Sequence, residues 1–125
     1  MHLQESGEMY LETIYILSQK NGAVRSVDVG ETMHVSKPSV SRAVGILKKE
    51  GYLRSDADGH LLLSESGHAI AKKIYDRHIT LSAFLTRLGV PPEIAVRDAC
   101  KIEHVISDET FAALKQHVQK YNSQA

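Results

Sequence analysis

The stretch VSKPSVSRAVGILKKEGYL, residues 35–53, decides the fold. Ser36 or Lys37 opens a helix, and Pro38 falls in its first turn, where a missing N–H costs nothing. Val40, Val44 and Leu47 recur at helical spacing and form a buried stripe. Ser39, Ser41, Arg42, Gly45, Lys48 and Lys49 fall largely outside that stripe, and Gly51 ends the helix. Upstream, EMYLETIYILSQK (residues 8–20) reads as an amphipathic helix that stops at Asn21-Gly22, a pair tolerant of left-handed backbone. Ser26 is expected to cap a short helix from Val27 to Met33, and His34-Val35 makes the turn. Downstream, YLRSDADGHLLL (residues 52–63) places two short apolar runs around Asp56-Ala57-Asp58-Gly59, the signature of a β-hairpin. Ser64 then caps a long helix from Glu65 to about Arg87. Gly89 breaks the chain, and Pro91-Pro92 opens a helix expected to reach about Val105. Ser107 caps a last helix from Asp108 to about Tyr121, with Asp108 and Glu109 suited to its N-terminal dipole.

Helix, short helix, tight turn, polar-faced helix and hairpin is the winged helix-turn-helix order. The expected fold is mainly α, with a winged helix and two-stranded β-wing over residues 1–72 and a helical domain over residues 73–125. An α-helix fits the DNA major groove, and its N-terminal side chains reach base edges. Ser36, Lys37, Pro38, Ser39, Ser41 and Arg42 occupy that end of the helix. Ser39 and Ser41 are small enough for close approach, Arg42 has the fork geometry for guanine, and Lys37 suits a phosphate. Arg54, on the hairpin, is positioned for the backbone of the duplex. The same fold also serves pure protein contacts.

The 125 residues carry 15 basic and 15 acidic side chains, a neutral balance that does not by itself suggest nucleic acid. The distribution is uneven. Residues 34–54 hold Lys37, Arg42, Lys48, Lys49 and Arg54 against Glu50 alone, whereas residues 1–33 hold Glu5, Glu8, Glu12, Asp28 and Glu31 against Lys20 and Arg25. Such a segment is either a phosphate-facing surface or a solvated helix face. Hydrophobic content of 42% fits a globular chain. No apolar run is long enough to span a membrane. The start, MHLQESGEMY, shows no secretion signal. A lone cysteine, Cys100, forms no internal disulfide and fits a reducing cytoplasm.

Cys100, Glu103 and His104 stand at i, i+3 and i+4 in DACKIEHVISDE (residues 98–109), on one face of an expected helix. Thiolate, carboxylate and imidazole are transition-metal donors. Three donors leave the site incomplete. Met9 and Glu12, three apart on the first helix, could close it, and His78 in the long helix is another candidate. Plainer roles are available too: Cys100 and Met9 as core packing, Glu103 and His104 as a solvated face. His2, His34, His60, His68 and His117 lack comparable neighbours and are expected at the surface.

EMYLETIYIL, the Ser-Lys-Pro-Ser-Val-Ser helix, the Asp-Gly wing and CKIEHVISDE together resemble the diphtheria toxin repressor family, which includes the manganese regulators called MntR. The resemblance runs from about Glu8 to Val118 and is most specific at Cys100–Glu109. It implies a cytoplasmic homodimer that binds palindromic operator DNA when loaded with Fe(II) or Mn(II) and represses metal-uptake genes. Residues 73–125 then form the metal-binding and dimerisation domain. By position, Met9, Cys100, Glu103 and His104 match the metal site of the iron-responsive branch. Glu12 and His78 match positions that complete a paired-metal site in the manganese branch. Arg97 and Ser82 stand where iron-responsive relatives place ancillary metal ligands, so that second site is expected to be absent or altered. The chain resembles the short form of the family, without the SH3-like domain of longer members.

Thioether and thiolate tilt the expected cofactor towards Fe(II), with Mn(II) second and Zn(II) or Co(II) able to bind in vitro. The expected mechanism is a clamp, in which metal held by Met9 and Glu12 together with Cys100, Glu103 and His104 fixes two recognition helices at half-sites about one helical turn apart, or a multiple of that. Neither a membrane nor a small-molecule substrate is expected. The alternatives are a winged-helix regulator answering a small molecule or the redox state of Cys100, and a hydrolase using Glu103 and His104 at a metal. The hydrolase lacks an accompanying nucleophile triad, phosphate loop or second acid-base pair.

Overall fold

A computed structural model of the chain describes residues 4–123. The described elements follow the order α1 (Glu5–Asn21), α2 (Ser26–Met33), α3 (Lys37–Lys49), β1 (Leu53–Ser55), β2 (Leu61–Leu63), α4 (Glu65–Arg87), α5 (Pro92–Ile102) and α6 (Asp108–Ser123). They divide into two compact units with the boundary after Lys72.

The first unit is built on the α3 stripe. Val40, Val44 and Leu47 are buried together with Leu11 and Ile14 of α1, Val29 of α2, Val24, and Leu53 and Leu61 of the hairpin. Burying a side chain of this size is worth about 1.5–3 kcal/mol, so this cluster fixes how α1, α2 and the wing meet α3. The ends of α3 are cut by local chemistry. The Ser36 hydroxyl accepts the Ser39 N–H at 3.3 Å and Pro38 lies in the first turn. β1 and β2 pair antiparallel, Leu53 with Leu63 and Ser55 with Leu61. Asp56 makes the turn between them: its Oδ1 accepts the N–H groups of Asp58 and His60, each at 2.9 Å, and Gly59 takes φ +81°.

The start of α4 is bolted to the base of the wing. Ser64 Oγ donates to Gly51 O at 2.6 Å and accepts Gly67 N–H at 3.1 Å, capping the helix. A side chain at Gly67 would put its Cβ 2.1 Å from Tyr52 O, so only glycine permits this approach.

The second unit takes the rest of α4 with α5 and α6. Ile74, Leu81, Ala95, Ala99 and Val118 are buried there, and so are Arg77, Thr80 and Glu103. Ser107 Oγ accepts Thr110 N–H at 3.1 Å and starts α6.

Two local expectations are corrected. Ser26 is the first residue of α2 rather than its cap. The α2 start is closed instead by the Asp28 carboxylate, which accepts the Arg25 N–H at 2.9 Å. And α5 ends at Ile102, not near Val105, because the N–H groups of Val105 and Ile106 both fold back to Ile102 O at 3.0 Å just before Ser107 opens the next helix.

Candidate metal centre and nucleic-acid surface

In the second unit, the early end of α5 shapes the candidate donors. Cys100 is still helical and half-buried. Glu103 is the C-cap residue, its N–H bonded to Ala99 O at 3.0 Å, and His104 follows in the turn. The negative end of the α5 dipole therefore coincides with these donors, a favourable place for a cation.

Glu103 is wholly buried. Its Oε2 lies 3.0 Å from His78 Nδ1 of α4, and its Oε1 lies 3.4 Å from Nε2 of His104, whose side chain is also wholly buried. Oε1 accepts no hydrogen bond among the described residues. An ionised carboxylate out of water demands a compensating positive charge. Here two imidazoles flank it and one oxygen remains without a donor. That arrangement fits a divalent cation better than a carboxylate kept only for structure. In the first unit, Glu12 is buried in α1 and Met9, one turn earlier, is half-buried.

A second acid–histidine group occupies the wing tip, where Asp56, Asp58 and His60 lie together. It is solvent-facing, and its Asp56 oxygens are already used by backbone N–H groups and by His60 Nδ1 at 3.0 Å. The His60 N–H and imidazole hold the Asp56 carboxyl below the ordinary carboxylate range.

The residues expected to face DNA are all exposed: Ser36, Lys37, Pro38, Ser39, Ser41 and Arg42 at the start of α3, and Arg54 on β1. The Ser36 hydroxyl also donates to Ser39 Oγ at 2.9 Å, so these two hydroxyls are ordered as a pair. Two residues with the same exposure escaped sequence reasoning. Ile46, 52% exposed, shares the α3 face of Ser39 and Arg42; the seven-residue spacing from Ser39 was the available signal. Arg25 is exposed, with Nη1 3.6 Å from where a Gly59 Cβ would lie, so it flanks the wing tip. Nothing local in the sequence announces that proximity.

Of the histidines expected at the surface, His34, His68 and His117 are exposed. His68 meets Tyr15 and His117 meets Phe84 edge-on. His60 is half-buried against Asp56, and His2 lies outside the described residues.

Two family models together span almost the whole chain. Residues 2–61 match the iron dependent repressor N-terminal DNA binding domain, and residues 64–124 match the iron dependent repressor metal binding and dimerisation domain. The chain belongs to the iron dependent repressor family. An uncharacterized HTH-type transcriptional regulator of Methanocaldococcus jannaschii is 31% identical over 121 residues, covering 95% of this chain and 97% of that one. The transcriptional regulator MntR of Escherichia coli O157:H7 is 34% identical over 122 residues, covering 98% of this chain and 79% of the relative. Among solved structures, the manganese regulator SloR superposes with a TM-score of 0.81 at 28% identity, covering 95% of this chain; the present chain spans 55% of that structure. As a family member the chain is a metal-responsive transcriptional repressor, with a DNA-binding domain followed by a metal-binding and dimerisation domain. No described helix is long and apolar enough to cross a membrane.

Proposed function

We propose that this chain is an Fe(II)-preferring repressor, with Mn(II) as the second choice, that acts in the cytoplasm as a homodimer on palindromic operators of metal-uptake genes. The observation that carries the reading is Glu103, wholly buried between His78 and His104 with one oxygen lacking a donor among the described residues. In this reading Met9, Cys100, Glu103 and His104 hold the metal, and Glu12 and His78 supply a second position beside it. The metal supplies positive charge and directional coordination. The softness of Met9 and Cys100 favours Fe(II) over Mn(II).

The chain's own residues do the rest. Glu103 provides the anionic anchor. Metal and protons compete for the same ligand atoms, so binding is weakened by acid. At the DNA, Ser36, Lys37, Pro38, Ser39, Ser41 and Arg42 meet the major groove, Ile46 offers an apolar contact for a thymine methyl, and Arg25 and Arg54 meet phosphate. A metal held by the candidate donors would supply the charge and coordination that favour the arrangement in which both recognition helices of a dimer reach their half-sites. The chain binds and does not turn over a substrate.

The test is DNA binding by duplexes selected from a random library in anaerobic Fe(II), then measured by fluorescence anisotropy with Fe(II), Mn(II) or a chelator. Tight binding with metal, best with Fe(II), and its loss with chelator is the expected result. Equal affinity with and without chelator would overturn the proposal.

A further inference from the structure

Two consecutive residues of α4 grip opposite ends of Glu103. His78 meets its carboxylate, as described, while Arg77 Nη1 donates to its backbone carbonyl at 3.1 Å. The same Nη1 donates its other hydrogen to Ile106 O at 2.8 Å, and Nη2 donates to Asp108 Oδ1. Arg77 is almost wholly buried, and its guanidinium lies over the Phe111 ring, 5.4 Å from the centroid. One guanidinium thus ties the end of α5, the turn after it and the first residue of α6 to α4.

We propose that Arg77 is a positioning residue of the metal centre. The proposal rests on the reading above that Glu103 and His104 hold metal. Its physical basis is that these two donors do not sit within a regular helix. They leave α5 in a turn whose carbonyls have no further helical N–H groups to bind. A loose turn would spread the donors over many geometries, and metal binding would have to select among them. Three donated bonds in a fixed plane remove that freedom before metal arrives. Only arginine offers that fork; a lysine ammonium keeps the charge but is a point donor on a flexible stem. The buried cation is balanced on the far side by Asp108, which also meets Lys73 at 3.0 Å, so its charge is not set against the metal alone.

The experiment measures Co(II) affinity by its visible absorption in the intact protein carrying Arg77→Lys, Asp108→Asn or Glu103→Gln. Metal-free circular dichroism, melting temperature and dimer mass are measured alongside. Arg77→Lys is expected to raise the Co(II) Kd by about 10–100-fold, the range seen when groups that orient metal ligands are lost. The absorption band should shift, and in the metal-free protein the amides of residues 103–106 should exchange faster. Asp108→Asn, which weakens the Nη2 anchor at an exposed position, should raise the Kd by about threefold. If Arg77→Lys fails to fold, Asp108→Asn decides the matter, and an unchanged Kd there overturns the proposal. A lowered melting temperature with the Co(II) Kd of Arg77→Lys within about twofold of the parent also overturns it, because the role is then structural only. Loss of Co(II) binding in Glu103→Gln supports the underlying reading independently of Arg77; retained binding there overturns that reading, and the positioning role with it.

Discussion

Two places among the described residues bring carboxylate and imidazole together, and they are opposites. At the wing tip, Asp56, Asp58 and His60 face solvent, and Asp56 is bonded by the turn it builds. After α5, Glu103 is wholly buried between two histidines, with Oε1 lacking a donor. Donor chemistry is similar in both; burial and hydrogen-bond satisfaction differ. An exposed carboxylate whose oxygens stabilise a turn gains little from a cation that water already screens. A buried one with an unsatisfied oxygen gains a great deal. A donor cluster therefore points to metal when the fold leaves it incomplete.

The largest expected effect comes from exchanging charge for its neutral isostere at the buried cluster. Glu103→Gln should abolish metal-dependent DNA binding and detectable Co(II) uptake. The metal-free fold should lose little stability, since glutamine keeps the volume and an oxygen that can still face His78 Nδ1. Chemical denaturation of the metal-free protein checks the second half, and marked destabilisation would break the contrast. Arg42→Ala tests the other unit. It should weaken selected DNA by about 1–3 kcal/mol while leaving Co(II) affinity alone, read by anisotropy and absorption in parallel. Asp56→Ala should lower the melting temperature through two lost backbone bonds in the wing turn, with metal stoichiometry unaltered in a calorimetric titration.

The smallest effect is in acid. Lys73 foremost, then Arg77, holds the Asp108 carboxyl below the ordinary value of 3.8. A lowered folded-state value means the contact contributes stability above the unfolded value, and that contribution is lost as pH falls through the lower folded one. Asp108→Asn and the parent should therefore converge in melting temperature only below about pH 3.8.

Much of the fold was legible because local chemistry fixed it. Ser36 with Pro38, Ser64, Ser107 and the Asp-Gly turn each satisfy orphan backbone groups within a few residues, so α3, the wing and the starts of α4 and α6 could be read directly. The close of α5 could not. Ile102, Val105 and Ile106 continue an apolar pattern, while the backbone leaves the helix to let Ser107 begin α6. At the site, Glu103 and His104 were visible as donor types at helical spacing. What makes them distinctive, complete burial and an unsatisfied oxygen, depends on packing that spacing does not encode. Arg77 was invisible for the same reason. In YDRHIT it reads as a solvated charge, yet its partners are carbonyls 26 and 29 residues away and a carboxylate 31 away. His60 was misjudged as unaccompanied because its partner is the turn-forming Asp56.

The most direct measurement is anomalous scattering from crystals grown with Fe(II), recorded on both sides of the iron edge. An iron peak is expected within coordination distance of the Glu103 carboxylate and the His104 imidazole, and none at Asp56, Asp58 and His60. Iron at the wing tip alone, or no iron beside Glu103 in a crystal whose protein had bound it in solution, would contradict it.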